Sequence, residues 1–340
     1  MKKVLILFAP FLVLVAVSLF GFFWWKKEST APSEDSASKS FLITKGSAAS
    51  LIGENLKRGG FIRNFLAFKI YIQLTDKAKR VPAGEYRLSR NLSLPTLVSE
   101  LEKGPAEIWV TIPEGLRREE VAKKIIEAFE LKDAEARNFE EEFLNLSKGS
   151  EGYLFPDTYL FPPTATSGAV FTKLRSTFDA KVDTKINNAI KEGLTLGDVV
   201  TLASILERET KTEEERPIVA GILLKRLSAG WPLQTDAALQ YAVASSKCNR
   251  EAGYSVQSAK CDWWPILTKD DLEINSKYNT YKFPGLPPGP IANPGLSSIN
   301  AVVHPSESEY WFYLHDTDGK IHYAKTIQEH NANIRLYLGK

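Results

Sequence analysis

An acidic residue continues the apolar stripe of one predicted helix. Residues 196–212 have the sequence LGDVVTLASILERETKT, in which Val199, Leu202 and Leu206 recur at the helical spacings of three and four. Glu209 takes the next position on that stripe. Because burial among leucines disfavours the ionised carboxylate, we expect the pKa of Glu209 to lie above its usual range. A glutamic acid that is protonated near neutral pH can donate a proton to a leaving oxygen, which is general acid catalysis.

A second carboxylate, Glu207, has a simpler structural explanation. It stands two residues before Glu209, about 200° away around a helix axis, so the two side chains cannot both face one cleft. Lys211 follows Glu207 by four residues, which is the spacing of an exposed ion pair that stabilises a helix. The residue four positions after Glu209 is Glu213, a like charge. Glu209 is therefore the candidate acid, although most glutamates at helix ends are only solvated and a further indication is needed.

Three polar loops supply that indication. LQTD at 233–236 follows a Gly-Trp-Pro turn, YNTY stands at 278–281, and GLPPGPIANPG stands at 285–295. Rigid loops with ring and amide side chains suit the wall of an open groove, where sugar rings stack and sugar hydroxyl groups form hydrogen bonds. Ordinary turn chemistry is the alternative, and it explains the prolines and glycines but not the clustered Tyr, Asn and Gln residues.

The helix that carries Glu209 has a clear start signal. The hydroxyl of Thr195 can cap its first turn, and Asp198 three residues later completes a capping box. Two further helices are predicted just before it, over 169–178 and 182–192. A polar segment at 147–151 (SKGSE) marks a boundary, so we predict one catalytic domain over 149–340.

A strand, a glycine turn and an amphipathic helix occur twice before that boundary. Around Gly46 and Gly115, apolar residues stand at the same three offsets: Ile43 and Ile112, Ile52 and Val121, Leu56 and Ile125. A strand that returns to the first cassette is predicted over 83–88, and a short helix over 93–101. Two small α+β modules, at 41–105 and 106–148, are therefore expected. The alternative is that two unrelated strand-helix units match by coincidence.

The N-terminal residues have the composition of a membrane anchor. Residues 4–25 form a run of 22 without a charge, which is long enough to cross the hydrocarbon of a bilayer. The run ends in GFFWW rather than in the small residues of a cleavage site, so a membrane helix over 1–27 is favoured over a cleaved signal peptide. Lysine pairs on both sides leave the orientation undetermined. Residues 28–40 contain no large apolar residue and are predicted to be a flexible linker.

Charge, histidine and cysteine content narrow the functional classes. With 43 basic against 41 acidic residues and no long basic block, nucleic acid is not an expected partner. The four histidines form no metal-binding pattern, so neither a metal nor another cofactor is expected. Cys248 and Cys261 stand thirteen residues apart, and an exported chain could bridge them. Two free thiols are the alternative, because spacing alone does not establish the geometry.

Four motifs, in this order, resemble the YceG-like endolytic murein transglycosylases: ASILERET at 203–210, LQTD at 233–236, YNTY at 278–281 and GLPPG at 285–289. The resemblance covers most of the chain, because that family also has one N-terminal membrane helix, LysM-like modules and a C-terminal catalytic domain. It implies an α+β fold with an N-terminal transmembrane helix, two small LysM-like α+β modules and a mixed α+β catalytic domain with an open glycan-binding groove.

The resemblance also implies a reaction. Members of the family cleave the β-1,4 bond between N-acetylmuramic acid and N-acetylglucosamine inside peptidoglycan strands and leave a 1,6-anhydromuramyl end. One glutamic acid protonates the glycosidic oxygen, and its carboxylate then helps the sugar's own 6-hydroxyl to close onto C1, so no second carboxylate is required. Related lytic enzymes place this acid before Ser or Thr, which points to Glu209 and the following Thr210.

Further residues on the family's motif positions are expected to position the glycan: Gln234, Thr235, Asp236, Tyr278, Asn279, Tyr281 and Asn293. The sequence departs from the family's pattern between Ala237 and Lys277. Both cysteines and the pair Trp263-Trp264 fall in this segment, which is expected to be an enlarged loop at the rim of the groove.

The resemblance implies a location and partners. Such an enzyme acts outside the bacterial cytoplasm, held in the plasma membrane by a single helix, and limits or releases nascent strands. Its expected partners are peptidoglycan glycan strands, the lipid bilayer and cell-wall synthases. Two alternatives stay open: a hydrolytic muramidase with Asp236 as its second carboxylate, and a non-catalytic, membrane-tethered protein that binds cell-wall glycan.

Overall fold

The computed structural model describes residues 2–44, 46–75, 77, 81–182, 193–248 and 261–339, and for residues 2–12 it describes the backbone only. The chain forms two compact units. One comprises Met1–Ile108 with Pro162–Thr164, and the other comprises Trp109–Phe161 with Ala165–Lys340. The secondary structure confirms the mixed α+β class that the sequence predicts.

The first unit begins with helix α1 (Lys2–Glu28), which has Lys26 and Lys27 in its last turn. Near its end, the ring of Trp25 stacks on the ring of Tyr71, with the centroids 5.6 Å apart. Among the residues whose side chains are described, no helix has both the length and the apolar character needed to cross a bilayer. The single-pass anchor therefore stays a prediction from the sequence.

The remainder of the first unit contains β1 (Lys39–Ile43), α2 (Ala49–Arg58), α3 (Phe65–Leu74), β2 (Gly84–Leu88) and α4 (Leu94–Lys103). Of these elements, α3 was not predicted. β1 pairs antiparallel with β2, with Lys39 opposite Leu88 and Ile43 opposite Gly84. The predicted strand, turn and helix, the returning strand and the short helix are thus confirmed. β1 begins at Lys39, inside the segment that was predicted to be a linker.

Local sequence explains the turns and the core of this unit. Gly46 has a φ of +82°, a left-handed conformation that favours glycine, at the turn between β1 and α2. The alternate residues Phe41 and Ile43 of β1 are buried, as the period of two predicts. Other fully buried side chains come from α2, α3, β2 and α4: Leu56, Phe68, Tyr86, Leu97 and Leu101.

The second unit opens with the second predicted cassette: β3 (Ile108–Thr111) followed by α5 (Arg118–Ala128). The turn between them contains Gly115, with a φ of +75°. α6 (Asp133–Leu146), β4 (Thr158–Phe161) and α7 (Ser167–Val182) follow, and β3 pairs with β4. Residues 109–148 thus share one compact unit with residues 165–340. The likeness of both cassettes to LysM modules stays a prediction.

The helix predicted over 169–178 is confirmed as part of α7. Of the helix predicted over 182–192, only Val182 is among the described residues, where it ends α7.

The rest of the second unit is built around α8 (Leu196–Glu209). α8 packs against α9 (Glu215–Ser228), α10 (Asp236–Lys247) and α11 (Leu296–Val303). The antiparallel strands β5 (Phe312–His315) and β6 (Ile321–Ala324) follow, and α12 (Ile327–Leu338) packs against both. The apolar stripe of α8 lies at the centre of this core, so its predicted direction of burial is confirmed.

The predicted start of α8 is confirmed and its predicted end is wrong. The hydroxyl of Thr195 accepts a hydrogen bond from the backbone N–H of Asp198 at 3.1 Å, and the Asp198 carboxylate accepts one from the N–H of Thr195 at 2.9 Å. The helix stops at Glu209 instead of Thr212, because Thr210 is extended. The Thr210 hydroxyl donates to the carbonyl of Leu206 at 2.8 Å and so satisfies one of the last helical carbonyls.

The segment from Ala237 to Lys277 is not simply an enlarged loop, which corrects the prediction. Its first part is helical, in α10, and a 3₁₀ helix lies at Asp270–Glu273. A disulfide joins Cys248 at the end of α10 to Cys261, with the Cα atoms 5.8 Å apart, so the bridge is confirmed over the free thiols. Residues 249–260 lie outside the described residues.

Candidate active site

Two hydrogen-bond donors hold the carboxylate of Glu209 at the end of α8. The backbone N–H of Ala237 donates to Oε1 at 3.2 Å, and the hydroxyl of Tyr313 donates to Oε2 at 3.0 Å. Ala237 lies in the first turn of α10, where backbone N–H groups have no partner inside the helix. The residue Glu209 remains partly accessible to solvent. It is therefore oriented but not enclosed.

The pKa of Glu209 is raised to about 7, mainly by burial and also by the negative charge of Asp236. The hydrogen bonds from Ala237 and Tyr313 and the charge of Arg226 oppose this rise. The predicted direction of the shift is confirmed. The like charge is Asp236 and not Glu213, because Glu213 lies beyond the end of α8 with its side chain 79% exposed.

Glu207 has a different structural role from the one predicted. Its side chain is only 5% exposed, and its Oε1 accepts a hydrogen bond from Nη2 of Arg216 at 2.9 Å. Its Oε2 accepts one from the backbone N–H of Gly295 at 2.9 Å. The exposed pair with Lys211 does not form, because the helix ends before that residue. Glu207 thus links α8 to Arg216 of α9 and to the loop at 290–295.

The LQTD and YNTY motifs are joined to each other beside Glu209. The hydroxyl of Thr280 accepts a hydrogen bond from the N–H of Thr235 at 3.0 Å, and its carbonyl accepts one from the N–H of Gln234 at 3.1 Å. The hydroxyl of Tyr281 donates to the carboxylate of Asp236 at 2.6 Å. Thr235 is fully buried, so it connects the two loops from within and does not face the solvent.

Three of the predicted glycan-positioning residues keep accessible surface near the acid: Gln234, Asp236 and Tyr281. Gln234 has a φ of +53°, which is uncommon for a residue with a side chain and typical of functional sites. Burial and the neighbouring charge of Asp236 raise the pKa of Tyr281 well above its ordinary value. Tyr281 therefore stays a neutral hydroxyl at every pH at which the protein would act.

Asn279 and Asn293 are fully buried and hold loops together. The Asn279 amide donates to the carbonyls of Leu272 and Ile274 at 2.9 and 3.0 Å. The Asn293 amide donates to the carbonyl of Leu116 at 2.9 Å. Their placement does not support direct contact with a glycan, because their polar groups are engaged inside the protein. A role in positioning the glycan stays a prediction for both residues.

Tyr278 lies in a cluster of aromatic rings that also contains one arginine side chain. It is not one of the hydrogen-bond donors to Glu209. Its ring packs on that of Tyr241, with the centroids 4.8 Å apart. The guanidinium of Arg117 lies 4.1 Å from the ring of Tyr241 and 4.5 Å from that of Trp263. Trp263 follows the disulfide closely in sequence, so the bridge and this cluster order the same segment.

The next tryptophan, Trp264, contacts the helix of the acid directly. Its ring lies 3.9 Å from the guanidinium of Arg208, the residue before Glu209. Its indole N–H donates to the carboxylate of Glu120 at 3.0 Å. Of the tryptophan pair in the segment that departs from the family's pattern, Trp264 thus packs at the end of α8.

Ser204, inside the first motif, fixes the loop that contains Asn293. It is fully buried, and its hydroxyl accepts a hydrogen bond from the N–H of Ile291 at 3.0 Å while donating to the carbonyl of Thr201 at 2.7 Å. With the bond from Gly295 to Glu207, this gives α8 two connections to the same loop. The helix of the first motif therefore fixes the loop that follows the GLPPG motif.

Sequence reasoning missed Tyr313 and Arg226. Arg226 is buried, donating through Nη1 to the carbonyl of Leu233 at 2.7 Å and through Nε to the carbonyl of Trp311 at 2.9 Å. Tyr313 lies in β5 among other aromatic residues. No local pattern marks either residue, because each reaches Glu209 through the tertiary structure.

The described residues contain no group of three or more His, Cys, Asp or Glu side chains placed to hold a metal ion. Two cavities, of about 680 and 480 Å³, lie along α9, the first against residues 305–308 and the second against α11. Neither includes a predicted site residue. The open groove beside Glu209 thus stays a prediction.

A model of the YceG-like family matches residues 41–336 of the chain. The endolytic murein transglycosylase of Bacillus subtilis (strain 168) is 30% identical over 320 residues, which cover 87% of this chain and 84% of that protein. The endolytic murein transglycosylase of Streptococcus pneumoniae serotype 2 (strain D39) is 26% identical over 370 aligned residues. That alignment covers 98% of this chain, which spans only 65% of the pneumococcal protein.

A solved structure has the same fold. The crystal structure of the YceG-like protein lmo1499 from Listeria monocytogenes superposes with a TM-score of 0.54 at 28% sequence identity, covering 87% of this chain and 99% of that one. The family match, the relatives and this fold agree with the family that the four motifs predict. The chain belongs to the YceG-like family.

Proposed function

We propose that this protein is an endolytic lytic transglycosylase. It cleaves the β-1,4 bond between N-acetylmuramic acid and N-acetylglucosamine within peptidoglycan strands and leaves a 1,6-anhydromuramyl end. The observation that carries the proposal is the carboxyl of Glu209, partly accessible, held by two donors and with its pKa raised to about 7. The names of the bacillar and pneumococcal relatives support it.

The reaction uses Glu209 twice. In the first step the protonated carboxyl gives its proton to the glycosidic oxygen, the bond from C1 to that oxygen breaks, and positive charge develops at C1. In the second step the Glu209 carboxylate takes the proton of the muramyl 6-hydroxyl while O6 forms a bond to C1. The carboxyl is protonated again at the end, and no water is consumed.

The surroundings of Glu209 suit this alternation. The N–H of Ala237 and the hydroxyl of Tyr313 stabilise the carboxylate that exists between the two steps. Burial favours the protonated form that begins the reaction. The carboxylate of Asp236 accepts a hydrogen bond from Tyr281, which favours a supporting role over that of the second catalytic carboxylate in a hydrolytic muramidase.

The accessible residues beside the acid are the proposed glycan contacts: Gln234, Asp236 and Tyr281. The other predicted positions support the loops from behind, through the buried hydrogen bonds of Thr235, Asn279 and Asn293 and the ring packing of Tyr278.

The proposed location is the outer side of the bacterial plasma membrane, with residues 1–27 as a single-pass anchor and 28–40 as a linker. LysM-like modules at 41–105 and 106–148 would hold the strand for the catalytic domain at 149–340. The disulfide between Cys248 and Cys261 supports an oxidising compartment. There the enzyme would limit or release strands beside the cell-wall synthases that make them.

Mass spectrometry of glycan strands digested by the full-length protein tests this proposal. We expect 1,6-anhydromuramyl ends, and a loss of cleavage of about 10²- to 10⁴-fold in Glu209→Gln with strand binding retained. Reducing muramic acid ends would instead indicate the muramidase. Unchanged cleavage by Glu209→Gln would remove the proposed acid.

Glu207→Gln is the matched control, two residues earlier in the same helix. Glu207→Gln leaves the donors to Glu209 in place, so it should retain much more activity per folded molecule than Glu209→Gln. Activity is measured below the melting temperature of each variant. Equal losses in two well-folded variants would argue against assigning the proton transfer to Glu209 alone.

A further inference from the structure

An exposed tryptophan stands on the chain that leads into the LQTD motif. Trp231 follows α9, and 44% of its surface is exposed. Its ring packs on that of Trp311, with the centroids 4.7 Å apart and the planes tilted by 42°, and lies 6.2 Å from the ring of Phe312. Trp311 thus supports the ring of Trp231, and much of the Trp231 surface stays open to solvent.

Trp311 is close in sequence to a residue that contacts the acid. Trp311 precedes β5, and Tyr313, which donates to Glu209, follows two residues later. Residues two apart on a strand point to the same side, about 7 Å apart along the chain. Trp311 and His315 both contact side chains of α9: the ring of Trp311 lies 5.0 Å from Nζ of Lys225, and Nε2 of His315 lies 3.2 Å from the Glu215 carboxylate.

Trp231 is connected to the site through the LQTD motif and through Arg226. Gln234, the accessible residue of the LQTD motif, stands three positions after Trp231. Arg226 binds the carbonyls of both Leu233 and Trp311, so one buried guanidinium fixes the loop of Trp231 and the strand of Trp311 together. The position of the indole pair relative to Glu209 is therefore set by the same contacts that build the site.

The alternative is that the pair only closes the end of α9, since single exposed apolar residues are common on protein surfaces. If Trp231 served packing alone, we would expect its indole to be buried against its neighbours. Instead, nearly half of the Trp231 surface faces solvent. The flat apolar face of an indole matches the C–H face of a pyranose ring. Because Arg226 fixes the loop of Trp231 and Gln234 to the strand that leads to Tyr313, a glycan strand bound at Glu209 is the occupant that fits.

We propose that Trp231, supported by Trp311, is a stacking subsite for a pyranose ring of the glycan strand, beyond the sugars that flank the cleaved bond. This inference rests on the proposed function and adds a binding element to it. The subsite contributes affinity for the strand and takes no part in proton transfer.

Titration of peptide-free glycan strands into full-length protein that carries Glu209→Gln, which removes cleavage, measures the subsite directly. Adding Trp231→Ala should raise the dissociation constant about tenfold, which corresponds to about 1.4 kcal/mol. Trp231→Phe, which keeps a ring, should raise it less. Strand binding should change the tryptophan fluorescence of the Glu209→Gln protein, and Trp231→Phe should reduce that change. In protein with an intact Glu209, Trp231→Ala should raise KM with little effect on kcat.

Leu336→Ala is the control, since Leu336 is 71% exposed on α12 and should leave the dissociation constant unchanged. Melting temperatures show whether each variant is folded. Equal affinity of folded Trp231→Ala and its parent would overturn the subsite while leaving the proposed function intact. Reducing product ends would overturn the proposed reaction without altering the binding comparison. Failure of the Glu209→Gln protein to bind strands would contradict both.

Discussion

The hydroxyl of Tyr313 donates to Oε2 of Glu209 at 3.0 Å, joining residues that are 104 positions apart in the chain. This bond favours the carboxylate and so opposes the burial that raises the pKa of Glu209. A group that must give up a proton and then take one back works best with its pKa near the working pH. Burial and the hydrogen-bond donors together place the pKa of Glu209 at about 7, which meets that requirement.

Replacing Tyr313 with Phe removes a donor that stabilises the charged acid, so the pKa of Glu209 should rise further. We expect the alkaline limb of the kcat/KM profile to move to higher pH, by less than about one unit. The profile is measured by product release from glycan strands between pH 5 and 9. Tyr310→Phe, two residues before β5, is the control and should leave the limb in place. A shift to lower pH in Tyr313→Phe would contradict this account.

Glu209→Gln should change how stability depends on pH. The folded pKa of about 7 exceeds the ordinary value of 4.5, so the folded state holds its proton more tightly than the unfolded state. The resulting stabilisation is complete below the unfolded pKa and is lost as the pH rises through about 7. The variant, which cannot ionise, should therefore be more stable than the parent above pH 7, by on the order of 2 kcal/mol.

Urea unfolding at pH 4 and pH 8 measures this difference. Glu151, whose pKa burial raises to about 8, titrates in both proteins and cancels in the comparison. A variant that gained no stability at pH 8 relative to pH 4 would show that folding does not raise the pKa of Glu209.

Asp236→Asn tests the charge that acts beside the acid. Because the Asp236 carboxylate raises the pKa of Glu209, its removal should lower that pKa and move the alkaline limb of the activity profile to lower pH. The asparagine can still accept the bond from Tyr281, so the loops should keep their connection. The product ends should remain anhydro. A loss of cleavage as large as that of Glu209→Gln would instead favour Asp236 as a second catalytic carboxylate.

Reduction of the disulfide between Cys248 and Cys261 should destabilise the second unit. The bridge closes a loop of 13 residues, for which the chain-entropy estimate is about 3 kcal/mol. Thermal unfolding with and without a thiol reductant measures the effect, which should be a lower melting temperature. The double variant Cys248→Ser and Cys261→Ser is the control, since its melting temperature should not respond to reductant. An unchanged wild-type melting temperature would mean that the bridge adds no stability.

Short-range patterns determined much of this protein from the sequence alone. The capping box at Thr195 and Asp198, the stripe of α8 and the burial of Glu209 follow from helical spacing, which neighbouring residues set. The two strand-turn-helix cassettes and the strand that pairs with β1 were predictable for the same reason. The end of α8 was not, because the hydroxyl of a β-branched Thr210 turns back to a helical carbonyl and the chain leaves the helix there.

Only the tertiary structure decided what surrounds the acid. Ala237 and Tyr313 donate to Glu209 although they are 28 and 104 residues away in the chain. Glu207 pairs with Arg216, whereas the sequence predicted a pair with Lys211. The tertiary structure also separated the accessible motif residues from the buried ones, Asn279 and Asn293, which the sequence presents as equals. Periodicity tells which side of an element is buried, whereas the partner that a buried group meets depends on how distant elements pack.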